Sequence, residues 1–182
     1  MAETLRAAIF LDRDGVINEN RAQYVRTWEQ LQLLAGALPA LVRLAGSAFA
    51  VVIVTNQSAI GRGLLSNTVA QHINAQLVAQ LERAGGRIDG VYVCPHRPDE
   101  DCACRKPRPG LLLQAASDLK LDLERSWMVG DAATDAQAGL AAGTRALLVR
   151  TGRGSEIGVL PAGVAQVADL AAAVDHILKT PG

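Results

Sequence analysis

Short apolar runs alternate with longer segments of helical periodicity along most of the chain. The runs are rich in Val, Ile and Leu and cover positions 7–11, 51–55, 91–93, 127–129 and 146–149. Brief continuous runs of this kind are typical of strands buried on both faces of a parallel sheet. We therefore predict an α/β fold, a doubly wound parallel sheet with right-handed crossovers between its strands.

Amphipathic segments between these runs predict the helices. The longest follows Ser66, a residue type that favours the N-cap position, and its apolar spacing continues to position 84. Gly85 and Gly86 then end it, and segments 111–119 and 135–142 show the same periodicity. Near the C-terminus an apolar stripe predicts a last helix with Val167, Leu170, Ala171, Val174, Ile177 and Leu178 on one face.

Composition and charge restrict the class of protein. The 182 residues fit a single domain over residues 1–182, which includes an irregular loop at 94–110. Lys and Arg number 18, as do Asp and Glu, and this balance argues against bulk electrostatic binding of nucleic acid or an anionic membrane. Neither a membrane-spanning apolar run nor a signal-peptide pattern is present, which predicts a cytoplasmic location.

Acidic pairs follow two of the predicted strands. Asp12 and Asp14 come directly after the first strand, and Asp131 and Asp135 come after the run at 127–129. In an open α/β sheet, ligands bind beyond the carboxyl ends of the strands. Acids at that edge can hold a hard cation such as Mg²⁺, and an Asp carboxylate can also act as a nucleophile. Each pair taken alone is also compatible with a solvated turn or a helix cap.

Residues suited to phosphate binding occur at two further places. Hydroxyl, amide and backbone N–H groups that can cradle phosphate oxygens follow the second strand, at Thr55, Asn56, Gln57 and Ser58. The alternative for this segment is a cap for the next helix. Arg105 and Lys106 can bind anionic oxygens. Their alternatives are a solvated basic loop or a nucleic-acid patch, although the acids at 99–101 argue against a patch.

The irregular loop at 94–110 contains every cysteine of the chain. Cys94, His96, Cys102 and Cys104 supply four soft ligands within eleven residues, which predicts a closed, structural zinc site. Zinc would give order to a loop that has few apolar residues, and it would aim Arg105 and Lys106 at the phosphate. The alternative is three buried free thiols. His72 and His176 lie in predicted helices and are expected to be ordinary surface residues.

Taken together and in this order, the motifs resemble those of the haloacid dehalogenase superfamily of phosphotransferases. That superfamily has Asp-x-Asp after its first strand, Thr or Ser after its second, a later Lys, and a late Gly-Asp-x-x-x-Asp. The resemblance implies that Asp12 is the nucleophile and Asp14 the general acid and base. It also implies that Thr55 and Lys106 hold the transferring phosphoryl oxygens. The implied Mg²⁺ ligands are Asp12, the backbone carbonyl of Asp14, and Asp131, while Asp135 would orient either the water shell of the metal or Lys106.

The zinc loop narrows the resemblance to a branch with small or no cap domains. This branch holds the D-glycero-D-manno-heptose 1,7-bisphosphate 7-phosphatases and the histidinol-phosphate phosphatases. T-N-Q-S-A-I-G-R-G at 55–63 is similar to T-N-Q-S-G-I-A-R-G of the heptose enzymes, with Gly and Ala exchanged at Ala59 and Gly61. Other similar segments are C-R-K-P-R-P-G at 104–110, D-R-D-G-V-I-N at 12–18 and Tyr24-Val25.

The resemblance implies an enzyme with catalytic Mg²⁺ and structural Zn²⁺ that removes the 7-phosphate of D-glycero-D-manno-heptose 1,7-bisphosphate. The intermediate would be a phosphoaspartate, the products heptose 1-phosphate and phosphate, and the pathway lipopolysaccharide biosynthesis. Arg105 would recognise the remote 1-phosphate or the sugar hydroxyls. Segment 19–24 is one residue longer than in some members, which affects its sugar contacts. The implied substrate-binding residues are Asn20, Gln23, Thr55, Asn56, Gln57, Ser58, Arg105 and Lys106.

Two further functions are compatible with parts of the sequence. A histidinol-phosphate phosphatase shares the zinc loop, but the R-P-G after Lys106 and the S-A-I-G-R-G segment favour the heptose enzyme. A zinc-stapled nucleic-acid binding module could use Arg97, Arg105, Lys106 and Arg108. Zero net charge, few aromatic residues for base stacking and four aligned acids disfavour it. We expect a monomer whose partner is a small phosphorylated sugar.

Overall fold

A computed structural model describes residues 5–180 of the chain. The strands are β1 (Arg6–Leu11), β2 (Ala50–Asn56), β3 (Gly90–Cys94), β4 (Leu121–Gly130), β5 (Arg145–Val149) and β6 (Ala165–Val167). They form one sheet in the order β3-β2-β1-β4-β5-β6, and every neighbouring pair is parallel. The predicted parallel sheet is thus confirmed.

Helices cover both faces of this sheet. They are α1 (Ala37–Ala45), the short α2 (Ser58–Gly61), α3 (Asn67–Arg83), α4 (Gly110–Leu119), α5 (Ala133–Ala142) and α6 (Leu170–Lys179). In β1, Ile9 and Leu11 belong to the core under α1, α3 and α6, whereas Ala8 and Phe10 belong to the core under α4 and α5. Burial on both faces explains why the strands are continuous apolar runs rather than alternating patterns.

The C-terminal segment differs from its prediction. Val167 was expected on the last helix, but it lies on β6 and pairs with Val149. The Asp169 carboxylate accepts a hydrogen bond of 2.9 Å from the backbone N–H of Ala172, so α6 begins only at Leu170. Leu178 is 40% exposed and lies off the core stripe. A three-residue edge strand leaves almost no periodic signal, which is why β6 was not predicted.

The beginning of the longest helix agrees with the sequence. The Ser66 hydroxyl accepts a hydrogen bond of 3.2 Å from the backbone N–H of Val69, as expected of an N-cap residue.

The strand β4 is longer than predicted, because it starts six residues before the predicted 127–129 run. Its pairing with β1 slips between Ala7 and Ile9, where the Ser126 hydroxyl accepts a hydrogen bond of 2.8 Å from the backbone N–H of Ala8.

The strand order changes direction between β1 and β4, which is where open α/β sheets bind their ligands. Three long connections of 15 residues or more extend from the carboxyl edge of the sheet, at residues 12–36, 95–109 and 150–164. None of them forms a large cap domain within the part of the chain that the structure describes. Between residues 5 and 180, no helix is long and apolar enough to cross a membrane.

Candidate active site

Three carboxylates meet at the switch point of the sheet. Asp12 follows β1, and Asp131 and Asp135 follow β4, so the two neighbouring strands bring them to one edge. One carboxylate oxygen of each residue lies within 4.8 Å of one oxygen of the other two. Because like charges at this separation repel in a partly buried site, the cluster requires a compensating cation.

Lys106 supplies one positive charge to this cluster. Its Nζ atom lies 2.9 Å from Oδ1 of Asp12 and 2.8 Å from Oδ1 of Asp135. It also donates a hydrogen bond of 3.0 Å to the carbonyl oxygen of Val54. The lysine side chain is 1% exposed, which contradicts the solvated-loop alternative. Lys106 is therefore an internal counter-ion between two acids and faces the space above Asp12.

Asp135 uses both carboxylate oxygens within the protein. Oδ1 pairs with Lys106, and Oδ2 accepts hydrogen bonds from the backbone N–H groups of Asp131 (3.1 Å) and Ala132 (3.0 Å). It thus orients Lys106 and at the same time holds the start of α5. Of the two roles the resemblance implied for this residue, the geometry favours the orientation of the lysine.

Asp12, Asp131 and the Asp14 carbonyl each keep an oxygen that could bind a magnesium ion. Oδ1 of Asp12 accepts a hydrogen bond from the Arg13 backbone, and Oδ2 of Asp131 accepts one from the Arg153 backbone, both at 2.8 Å. Within residues 5–180 the second oxygen of each acid accepts no hydrogen bond, nor does the Asp14 carbonyl. Free carboxylate and carbonyl oxygens are the ligands that Mg²⁺ prefers.

Burial changes the proton affinity of these groups. It raises the pKa of Asp12 to about 7, with Lys106 opposing the rise and the negative charges of Asp135 and Asp131 adding to it. Burial likewise raises the pKa of Asp131 to about 6. Burial alone would lower the pKa of Lys106, but Asp12 and Asp135 outweigh it and raise that pKa above its ordinary value. A bound cation would favour the charged form of both acids.

Two glycines pack so closely against Asp131 that a side chain on either would overlap its carboxylate. Gly15 has φ +87°, and a Cβ atom there would come 2.0 Å from Oδ2 of Asp131. Gly152 has φ +59°, and its Cβ would come 2.2 Å from the same oxygen. Any side chain at either position would displace the carboxylate.

Replacing Gly15 with alanine is expected to weaken the response to Mg²⁺ at least about tenfold, because the new methyl group displaces Asp131. The matched control is Gly143→Ala, because Gly143 has φ +90° with nothing within 4 Å of its Cβ position. That variant should lose about 1–2 kcal/mol of stability through backbone strain and keep its Mg²⁺ dependence. Activity measured against Mg²⁺ concentration checks this, and a wild-type response in Gly15→Ala would contradict it.

The segment after β2 organises the site more than it caps a helix. Gln57 precedes α2 but makes no capping bond with its side chain, which contradicts the capping alternative. Its Nε2 atom instead donates to Oδ2 of Asp14 (2.7 Å) and to the Thr55 hydroxyl (3.0 Å). The Asn56 amide exchanges two hydrogen bonds of 3.2 Å with the backbone of Lys106. Ser58 lies 3.5 Å from the Tyr24 hydroxyl.

A pocket of about 1050 Å³ opens above the acids. Of the predicted substrate-binding residues, its lining contains Asn20, Asn56, Gln57, Ser58, Arg105 and Lys106. Thr55 is buried behind the lining, and Gln23 is exposed on a loop outside it, so the structure does not place Gln23 at the site. Three arginines that sequence reasoning missed also line the pocket, at Arg21, Arg62 and Arg153.

Arg13 and its neighbours were also missed by sequence reasoning. Arg13 is the largest fully buried side chain of the described residues, and it forms an ion pair of 3.0 Å with Asp14. Asn18 donates a hydrogen bond of 2.8 Å to the same carboxylate. In the sequence alone, an arginine between two acids is expected to be a solvated charge. Only the similarity of the D-R-D-G-V-I-N segment to that of the heptose enzymes could have drawn attention to it.

The zinc-loop residues come together as expected. Sγ of Cys102 lies 3.7 Å from Sγ of both Cys94 and Cys104, and Nδ1 of His96 lies 3.5 and 3.3 Å from those two sulfurs. A zinc tetrahedron with bonds of about 2.3 Å to sulfur and 2.0 Å to nitrogen has edges of about 3.8 and 3.6 Å. The four residues could therefore hold zinc through three thiolates and one imidazole.

Burial raises the pKa of the Cys94 thiol to about 12, so a coordinated cation is needed to keep it as a thiolate. The loop also packs on the segment after β2, where the Gly61 N–H donates a hydrogen bond of 2.8 Å to the Pro95 carbonyl. The remaining histidines, His72 and His176, lie exposed on helices, as expected, and the His176 ring packs edge-on against Trp127.

Comparison with known proteins identifies the family. Residues 103–180 match a family model described as HAD-hydrolase-like. The D-glycero-beta-D-manno-heptose-1,7-bisphosphate 7-phosphatase of Bordetella bronchiseptica is 38% identical over 174 residues, which are 94% of this chain and 97% of that protein. The protein of the same name from Yersinia pestis is 44% identical over 155 residues, covering 80% of this chain and 81% of the relative.

Structural similarity agrees with this. The crystal structure of D,D-heptose 1,7-bisphosphate phosphatase from B. bronchiseptica, complexed with magnesium and phosphate, matches with a TM-score of 0.90 at 38% identity. The match covers 95% of this chain and 98% of that one. A relative this similar over nearly its whole length shares its fold and its family. The chain therefore belongs to the D-glycero-D-manno-heptose 1,7-bisphosphate 7-phosphatase family of the haloacid dehalogenase superfamily.

Proposed function

We propose that this chain hydrolyses the 7-phosphate of D-glycero-D-manno-heptose 1,7-bisphosphate and releases heptose 1-phosphate and inorganic phosphate. The observation that carries this proposal is the floor of the pocket, where Asp12 contacts the Lys106 ammonium and lies close to Asp131. A carboxylate nucleophile beside a fixed cation and a magnesium site is the arrangement that phosphoryl transfer requires.

The first half of the reaction transfers the phosphoryl group to the protein. A carboxylate oxygen of Asp12 attacks phosphorus as the bond between phosphorus and the sugar oxygen breaks. Asp14 gives its proton to the departing sugar oxygen, so the sugar leaves as an alcohol. Lys106, which touches Asp12, offsets the charge on the phosphoryl oxygens during this transfer.

The second half returns the protein to its starting state. Water attacks the phosphorus of the aspartyl phosphate, and Asp14 accepts a proton from that water. The bond between phosphorus and the Asp12 oxygen breaks, which releases inorganic phosphate and restores the carboxylate. One residue can serve as acid and then base because the first step leaves Asp14 deprotonated.

Two metals complete the proposal. Mg²⁺, when bound by Asp12, Asp131 and the Asp14 carbonyl, would neutralise charge between the nucleophile and the phosphate. Zn²⁺ would have a structural role, because all four of its positions are filled by protein ligands. We assign Thr55 and Lys106 to the phosphoryl oxygens.

The rest of the pocket is suited to the remote end of the substrate. Arg105 lines it and is held by a hydrogen bond of 3.1 Å to the His96 carbonyl, next to the zinc site. A guanidinium fixed at the rim can bind a second phosphate or sugar hydroxyls. We therefore assign Arg105 to the remote 1-phosphate side, with Asn20 among the residues that contact the sugar.

We further propose that the chain acts as a cytoplasmic monomer that does not bind nucleic acid. Three free cysteines in one zinc loop favour a reducing compartment. The basic residues of the loop are largely neutralised within it, because Arg97 pairs with Asp99 and Arg108 with Asp101. Lys106 is buried, so the loop presents no continuous basic surface.

A direct comparison of substrates tests the proposed function. With Mg²⁺ present, kcat/KM is expected to be at least about 100-fold higher for heptose 1,7-bisphosphate than for histidinol phosphate. The reason is that a second phosphate can pair with rim arginines that histidinol phosphate would leave unpaired. Both anomers of the bisphosphate should be assayed. A higher kcat/KM for histidinol phosphate would show that the chain is a histidinol-phosphate phosphatase instead.

A further inference from the structure

Arg13 is a buried cation beside the proposed nucleophile. Its side chain is 1% exposed, and its Nη2 atom lies 3.0 and 3.1 Å from the two carboxylate oxygens of Asp14. Among the described residues no other carboxylate forms an ion pair with it. Burial of a guanidinium is strongly unfavourable unless it is paired and hydrogen-bonded. Arg13 therefore pairs with Asp14 when that group is ionised and keeps it in place as a hydrogen-bond acceptor when it is protonated.

The other Nη atom of the guanidinium is fixed by a residue of α3. Nη1 of Arg13 donates a hydrogen bond of 2.8 Å to Oδ1 of Asn74. Asn74 belongs to α3 and is 5% exposed, next to core residues Ile73 and Leu77. Because the guanidinium is planar, a fixed Nη1 also fixes the direction of Nη2. The position of α3 thereby determines where Arg13 meets Asp14.

Asp14 is held from two further directions. Asn18 donates to its Oδ1 (2.8 Å), and Gln57 donates to its Oδ2 (2.7 Å). The Asp14 side chain is 22% exposed and lines the pocket. A group that must hand a proton to one departing oxygen depends on such placement, since a displacement of about 1 Å can cost about 100-fold in rate.

We propose that Arg13, fixed by Asn74, is a positioning residue that orients the Asp14 carboxylate toward the leaving oxygen and thereby supports the cleavage of poor leaving groups. This inference rests on the proposed role of Asp14 as general acid. A sugar alkoxide needs a proton as its bond to phosphorus breaks, whereas p-nitrophenolate leaves without one. The parameter kcat/KM depends only on the steps up to release of the leaving group. The later attack of water on the aspartyl phosphate therefore does not affect it.

The experiment compares two substrates in four variants. We measure kcat/KM for heptose 1,7-bisphosphate and for p-nitrophenyl phosphate in Asn74→Ala, Arg13→Lys, Asp14→Asn and the control Gln71→Ala. Gln71 is exposed on α3, one turn before Asn74, and makes no hydrogen bond to Arg13. Each variant is reported as the ratio of its losses on the two substrates, which a general loss of folded protein does not change.

Asn74→Ala is expected to lower kcat/KM about tenfold for the bisphosphate and less than about twofold for the aryl phosphate. Arg13→Lys should lower the bisphosphate value about 100-fold, because one ammonium group cannot reach both Asn74 and Asp14. Asp14→Asn should show the largest ratio between the loss of kcat/KM for the bisphosphate and the loss for the aryl phosphate. Gln71→Ala should leave both substrates unchanged.

An equal loss on both substrates in Asn74→Ala, or no loss on either, overturns the proposed positioning role. If Asp14→Asn itself reduces both substrates equally, the general-acid role fails and this inference fails with it. A differential effect in Asp14→Asn without one in Asn74→Ala overturns the inference alone. Should Arg13→Lys not fold, Asn74→Ala decides the question, since it leaves the Arg13–Asp14 ion pair in place.

Discussion

Asp12→Asn is expected to lower kcat by about 10⁴-fold or more while the fold is retained. An amide does not attack phosphorus, and the substitution also removes a negative charge from the magnesium site. The structure should tolerate the change. In the wild type, Oδ1 of Asp12 contacts the Arg13 backbone N–H and the Lys106 ammonium, and an amide oxygen can accept the same hydrogen bonds. Phosphate release and urea unfolding of the same preparation would measure the two effects.

The matched control is Asp122→Asn, an acid that pairs with Arg125 far from the pocket. It removes one carboxylate and should leave kcat unchanged. Trapping the wild-type intermediate with acid should give a phosphorylated peptide that contains Asp12. Near-normal turnover in Asp12→Asn, or a phosphorylated peptide from another segment, would show that the nucleophile has been assigned wrongly.

Cys102→Ser is expected to reduce stability and phosphate affinity together. Loss of one zinc ligand should cost about 3 kcal/mol or more, because most of the loop is only partly buried or exposed and has little apolar packing to replace the metal. Lys106 comes two residues after the ligand Cys104, so a loosened loop should also move its ammonium group away from Asp12. We therefore expect KM for the substrate to rise in the folded fraction.

Asp99→Asn provides the control for this experiment, since Asp99 lies in the same loop, is exposed and, among the residues that the structure describes, forms an ion pair with Arg97 alone. Its zinc content and unfolding midpoint should remain close to those of the wild type. Metal analysis of wild-type protein prepared without chelator should find about one zinc per chain. An absence of zinc refutes the ligand set. A destabilised Cys102→Ser whose folded fraction keeps its KM shows that zinc does not position Lys106.

Sequence patterns predicted the fold best where burial is continuous. The four central strands lie between two layers of helices, so each is an apolar run that stands out from its neighbours. At the sheet edge the signal fades. Strand β6 has three partly exposed residues, and Val167 was therefore assigned to the helix that follows. Helix α1 was missed as well, although its apolar residues cover the sheet beside α6.

The sequence predicted the acids of the candidate site but not the residues that hold those acids in place. Asp12, Asp14, Asp131 and Lys106 belong to segments that chemistry alone makes conspicuous, each close to the end of a strand or a zinc loop. Arg13 and Asn74 are 61 positions apart, and nothing local connects an arginine between two acids with an asparagine in a helix. Their contact exists only because α3 packs on the same face of the sheet as the loop after β1.

The sequence by itself determined the strand and helix alternation, the order of the acids, and a ligand set in which three cysteines and His96 match one zinc ion. These features are local, since each follows from neighbouring residues and their spacing. Only the tertiary structure decided which oxygens remain free for magnesium, that Asp135 holds Lys106, that Gln23 is not part of the pocket lining, and that Arg13 is buried against Asp14. Hydrogen bonds and burial depend on distances between separate elements, and those distances exist only once the sheet has brought its strand ends together.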